Sequence, residues 1–200
     1  MNKGQQTKAR IIAAAAQVFN TRGYSGASLY DIMDATQLQK GGIYRYFESK
    51  DALALAAFDF LYGRIRARYK AQVFREPHAI KRIVAILELH GAILDDPYMA
   101  GGCPILNTAI EADDTHPELR DKAQAAMDDW RHTIFAILQK GMTKGQVAAV
   151  DSEELATVII AALEGAVMLA KLYDDKRYIR RVIQHLKNYL ERFSVQEGEL

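Results

Sequence analysis

Cysteine, tryptophan and proline are scarce in this 200-residue sequence: one Cys, one Trp and four Pro. A single thiol, Cys103, makes neither an intramolecular disulfide framework nor a cysteine-rich zinc module, and it fits a reducing compartment. With so few prolines and long Ala/Leu/Ile-rich stretches, the chain leans toward helix. The opening MNKGQQTKAR has no apolar run ahead of a small-residue cleavage site, so no signal peptide is expected. The longest apolar run, residues 155–170, is 16 residues long and contains Glu164, short of the roughly 20 that span a bilayer. A cytoplasmic protein with no membrane partner is therefore expected. H-E-x-x-H, P-loop, dinucleotide-binding and G-x-S-x-G motifs are all missing, so the sequence predicts no catalytic residue, no metal and no cofactor, and hence no enzyme.

What is present is an ordinary globular composition, 50% hydrophobic and 26% charged, with an uneven charge. Residues 1–50 hold seven Lys/Arg (Lys3, Lys8, Arg10, Arg22, Lys40, Arg45 and Lys50) against Asp31, Asp34 and Glu48, a balance of +4; the remaining residues carry −3. A small basic head on a slightly acidic body suits polyanion binding by the head, although a balance of this size also arises by chance.

No strand-like alternation persists, and helical periodicity recurs throughout, so the expected fold is all-α with about nine helices. Ile11, Ile12, Ala15, Val18 and Phe19 form one helical stripe that stops at Arg22-Gly23. Ser28 to Asp31 is a capping-box start for a short helix ending near Ala35. A turn over residues 36–38 leads to a second short segment, 39–46, and Ser49 caps a long helix. Further helices are expected after Pro77, from Pro104 to about Asp113, from Pro117 to Gly141 behind Thr115 or His116, and over about 152–173 and 175–193. Two regions are expected: a helix-turn-helix domain at 1–50, with its motif at 28–47, and a helical domain at 51–200.

The motif holds the chemistry. In a helix-turn-helix the first helix braces the backbone and the second enters the major groove. Ile43 and Phe47, four apart, would pin the second helix to the core and leave Lys40, Tyr44 and Arg45 pointing away. Gly41 and Gly42, each costing about 1 kcal/mol relative to Ala in a helix, make sense where the backbone lies close to a phosphate or base edge.

The run from Thr7 to Leu53 resembles the N-terminal domain of tetracycline-repressor (TetR/AcrR) family regulators. The resemblance rests on Ile12, Ala15, Val18-Phe19, Arg22-Gly23-Tyr24, Ser28-Leu29, Ile32, the block Lys40 to Phe47, Ser49-Lys50 and Leu53. It implies a homodimeric bacterial transcription regulator, usually a repressor that leaves an inverted-repeat operator in double-stranded DNA when a small-molecule effector binds its C-terminal domain. Carried over by position, Tyr44, Tyr46 and Lys50 would hold phosphates, and Ser28 and Leu29 would offer a phosphate contact. Tyr30, Gln39, Lys40, Gly41 and Arg45 would be the candidates for base readout. Two positions depart from the family pattern: Gln37 stands where the turn usually has Gly, and Gln39 where a small N-cap is usual.

The rest of the chain has no motif of comparable specificity. Leu155, Ile159, Ala162, Leu163, Ala166 and Val167, with Ile179, Val182, Ile183 and Leu186, would make a four-helix dimer interface with a second copy, or else an internal core. Candidates for an effector pocket are Phe58, Tyr62, Met99, Cys103, Asn107, Trp130, Phe135, Met168 and Tyr173, each equally able to be core packing. Cys103, just ahead of a helix, reads either as an oxidant- or electrophile-sensing thiol or as a small buried hydrophobe. Glu111, Asp113, Asp114 and His116 cluster without the spacing of a metal site, while His78, His90, His132 and His185 are scattered. The rival readings are a helical enzyme pairing Cys103 with a distant His, and an interaction adaptor that has lost DNA binding.

Overall fold

The computed structural model describes residues 2–112 and 115–195. Among these, nine α-helices follow one another: α1 (Lys3–Gly26), α2 (Leu29–Thr36), α3 (Lys40–Tyr44), α4 (Lys50–Gln72), α5 (Ala79–Gly91), α6 (Pro104–Ala112), α7 (Pro117–Thr143), α8 (Ser152–Leu172) and α9 (Arg177–Glu191). Single 3-10 turns occupy Val73–Arg75, Ile93–Asp95 and Pro97–Met99. The only extended pairing among the described residues is one antiparallel bridge between Val147 and Ser194. The fold is all-α.

Local chemistry sets most helix ends. Asn2 and Gln5 make a reciprocal capping box at α1. Near its end α1 breaks at Gly23, whose φ of 75° is open to glycine and strained for other residues. Ser28 and Asp31 cap α2 as expected: the Asp31 carboxylate accepts from the Ser28 amide at 2.8 Å, and the Asp31 amide donates to Ser28 Oγ at 3.2 Å. Ser49 Oγ accepts from the Ala52 amide, and His116 Nδ1 from the Leu119 amide. At α8, Asp151 accepts from the amides of both Glu153 and Glu154.

The chain forms two compact units, residues 1–65 with 94–126 and residues 66–93 with 127–200, so α4 and α7 each contribute to both. In the first, α1, α2, α3 and the start of α4 close around Ile11, Ala15, Ile32, Ile43, Phe47 and Leu53. In the same unit α1 packs on α6 and on the 97–99 turn. There Asn20 is buried: its side chain accepts from the Gly101 amide at 2.8 Å and donates to the Gly102 carbonyl at 3.1 Å. A Cβ on Gly101 would lie 1.8 Å from the Asn20 carbonyl oxygen, so only glycine permits this approach.

In the second unit α5, α8 and α9 pack on one another. Gly91 allows the α5–α9 crossing, since a Cβ there would meet Ile183 at 2.3 Å. The bridge residues and the bond from the Val195 amide to the Gln146 carbonyl tie the end of the chain to the α7–α8 connection. The apolar run read from the sequence as too short for a bilayer lies within a 21-residue helix, α8, which has the length and composition to cross one. Half of its most apolar window is buried inside the protein.

Candidate nucleic-acid interface

Helices α2 and α3 meet through the tight turn expected of a helix-turn-helix. Gln37 takes up the left-handed conformation (φ 56°, ψ 34°) that the family usually gives to glycine. A side chain there costs about 1–2 kcal/mol. Part of that is offset locally, because Gln37 Nε2 donates to the Asp34 carbonyl at 2.7 Å and the Leu38 amide closes onto the Met33 carbonyl. Gln39 occupies the N-cap of α3 and makes no side-chain cap, so α3, only five residues long, depends on tertiary anchors. Those anchors are Ile43, 1% exposed, and Phe47, 6% exposed.

With that side pinned, the opposite side of α3 faces solvent. Gln39, Lys40, Gly41, Tyr44 and Arg45 are all exposed, and Lys40 Nζ sits 5.7 Å from the centre of the Tyr44 ring. Tyr30 of α2 is 79% exposed, an unusual setting for an aromatic ring without a partner. Ser28 is exposed but already committed to Asp31, whose carboxyl is held below the usual range by Ser28 and then by Arg22. Leu29 and Tyr46 both pack against the head's core and are half-exposed. Leu29 is therefore left with its backbone to offer.

Lys50 is also engaged. Its ammonium donates to the Tyr24 carbonyl at 2.6 Å and lies 4.4 Å from the centre of the Tyr24 ring. Tyr24 in turn donates to Asp51 and meets His116 edge-on at 4.8 Å. Burial, followed by the Asp51 bond, pushes the Tyr24 hydroxyl up to about 12, so it stays a donor. An ammonium has three protons, so Lys50 keeps donors for a phosphate. One cation absent from the sequence-derived set joins this surface: Lys8 of α1 lies 5.3 Å from the centre of the Phe47 ring and flanks an open groove with Tyr44 and Arg45. Its only sequence signal was the basic count of the head.

The other predicted sites fare differently. Phe58 and Asn107 line a cavity of about 40 Å³ within the first unit, room for a few waters rather than a drug-sized effector. Met99 and Cys103 are buried, Trp130 is buried against His90, and Tyr62 and Phe135 are half-buried. Met168 and Tyr173 are 54% and 60% exposed, which places them on the surface instead of in an interior pocket. Of the proposed dimer contacts, Leu155, Ile159, Leu163, Ala166, Val167, Ile179 and Leu186 are buried inside the single chain and have no surface left for a partner. Ala162, Val182 and Ile183 are half-buried. The apolar surface that α8 leaves open is instead Val158, Ala161, Met168 and Leu172, with half-buried Gly165 among them, at helical spacing along one side. The acidic cluster has structural duties: Glu111 accepts from the Tyr24 and Ser25 amides at 2.6 and 2.7 Å, and His116 caps α7. Asp113 and Asp114 lie outside the described residues.

Most of the chain matches known proteins. Residues 11–57 match the family of bacterial regulatory proteins, tetR family, and residues 79–186 match the tetracyclin repressor-like C-terminal domain. A TetR transcriptional regulator from Chloroflexus aurantiacus is 45% identical over 97% of this chain and 98% of its own, with a TM-score of 0.92. A second regulator of the family, from Cytophaga hutchinsonii, is 34% identical over 98% and 99%, with a TM-score of 0.87. The same fold, at 23% identity, 91% and 95% coverage and a TM-score of 0.82, occurs in the family member CifR in complex with 26-bp double-strand operator DNA. The chain belongs to the tetracycline-repressor family and is a DNA-binding transcriptional regulator.

Proposed function

We propose that this protein is a cytoplasmic homodimeric repressor that binds an inverted-repeat operator and leaves it when a small-molecule effector binds. In this reading residues 1–50 form the DNA-binding domain and 51–200 the effector-binding and dimerisation domain. The observation that carries the reading is the two-sided α3: Ile43 and Phe47 are sunk in the core, and Lys40, Tyr44 and Arg45 stand exposed on the other side.

Lys40 and Arg45 supply the bidentate-capable cations that read guanine edges, and Tyr30, Gln39 and Gly41 border them. Tyr44, Tyr46, Lys50 and the start of α2 at Ser28-Leu29 hold the backbone, with Lys8 adding charge beside the groove. Dimerisation uses the apolar side that α8 leaves uncovered, Val158 to Leu172, in place of the buried stripe. A two-fold dimer presents two α3 helices to half-sites about one helical turn apart.

Operator binding measured over a salt series tests the division of labour. Lys50→Ala is expected to weaken binding to all sequences alike and to lower the salt slope by about 1. Arg45→Ala is expected to cost about 1–3 kcal/mol on the preferred sequence and to relax selectivity at one base position. Identical behaviour of the two variants would contradict the assignment.

A further inference from the structure

We propose that His90, Trp130 and Glu164 form the polar anchor of the effector site, and that the anchor selects a neutral, largely apolar molecule through a single hydroxyl group. This deepens the ligand-responsive reading above and rests on it.

The three residues come from three helices of one compact unit: His90 from α5, Trp130 from α7 and Glu164 from α8. All are deeply buried, at 4%, 5% and 6% exposure. The His90 ring stacks on Trp130 with centroids 4.7 Å apart and planes 25° from parallel. Its Nε2 lies 3.7 Å from a Glu164 carboxylate oxygen, too far for a hydrogen bond and close enough for an inserted polar atom to serve both. His90 Nε2 and Trp130 Nε1 are fully buried and have no hydrogen-bond partner. Native proteins complete nearly all such groups, and two on touching rings call for a shared explanation.

The donor set narrows the chemistry of what completes them. Burial lowers the His90 pKa to about 4, so near neutral pH the ring has no charge and offers one donor and one acceptor. With His90 uncharged, the anchor holds no cation to pair with an anionic ligand. A cationic ammonium has no acceptor for the Trp130 indole N–H, which only donates. A hydroxyl does what neither can: its oxygen accepts from Trp130 Nε1, and its proton goes to His90 Nε2 or to Glu164. Within one helical turn of the three residues stand Ile86, Leu87, Ile134, Ile160 and Val167, all buried, so the surroundings of the anchor are apolar and suit an apolar remainder of the ligand.

Trp130 is the only tryptophan, so its emission reports this site without labelling. The full-length protein is titrated with phenol and with toluene, which are close in shape and differ by hydroxyl against methyl. A saturable change in emission is expected with phenol, at a Kd at least tenfold below that for toluene. His90→Phe should abolish the preference while keeping the far-ultraviolet circular dichroism and the affinity for DNA. Should that variant fail to fold, Glu164→Gln supplies the check, with an expected loss of threefold or more in the preference. Equal Kd values for the two probes, or no saturable change with either, overturn the proposal and leave the groups satisfied by buried water only. A parallel screen for compounds that release DNA separates the two readings. Release by compounds lacking a hydroxyl, with equal probe affinities, defeats the anchor and spares the effector reading; no release by any compound, with no probe response, defeats both.

Discussion

Helix α3 and helix α8 make opposite use of their exposed sides. The exposed side of α3 carries Lys40 and Tyr44, with Arg45 just beyond, on a helix too short and too poorly capped to stand without Ile43 and Phe47. The exposed side of α8 carries Val158, Met168 and Leu172 on a 21-residue helix whose other side is buried core. For α3, the residues that fold it and those that act are separable by chemistry, apolar against polar and charged. For α8 both sets are apolar, and only packing separates them. Substitutions should therefore divide cleanly into folding and function in the first case, and by exposure alone in the second.

Loss of an α3 anchor should cost most. Phe47→Ala removes an anchor that α3 has no cap to replace, and is expected to cost about 3–5 kcal/mol in denaturant unfolding. Next comes a pH effect in the second unit. His90 has a pKa of about 4 in the folded protein against an ordinary 6.5, so the folded state favours the neutral ring. Its stabilising contribution is complete above pH 6.5 and declines as pH falls toward 4, by on the order of 3 kcal/mol. Unfolding measured across that range should show the loss, and His90→Phe should flatten it.

A double substitution on α8, Met168→Asp with Leu172→Asp, should leave the chain folded, because both residues are exposed. It should weaken self-association on the order of 100-fold in sedimentation equilibrium. The matching change to a buried position, Leu163→Asp, should unfold the protein instead. The smallest effect is a gain. Gln37→Gly relieves the left-handed strain but gives up the bond to the Asp34 carbonyl, so stability should rise by about 1 kcal/mol or less in thermal unfolding.

How far each region was legible in the sequence follows the same division. The Ser28–Asp31 capping box, the break at Gly23, the cap by His116 and the pinning of Ile43 and Phe47 all depend on residues within a few positions of one another, and each is found where the spacing puts it. Leu29 and Tyr46 sit at positions carried over from the family, but the core takes part of each side chain. The rotation of α8 was not legible. Its apolar residues extend nearly all round the helix, so periodicity left the broad stripe of Leu155 and Ile159 open to a partner or to an internal core, and packing by the chain's own α5 and α9 buries it. His90 and Glu164 lie 74 positions apart, and no local pattern marks that they meet.

Sequencing of the fragments that the purified protein selects from random double-stranded DNA at near-physiological salt shows whether the exposed side of α3 reads bases. Enrichment of an inverted repeat with half-sites about one helical turn apart is expected, with loss of preference at one base position in each half-site for Arg45→Ala. A folded dimer that enriches no sequence, or an Arg45→Ala variant with unchanged preference, would contradict base reading by α3.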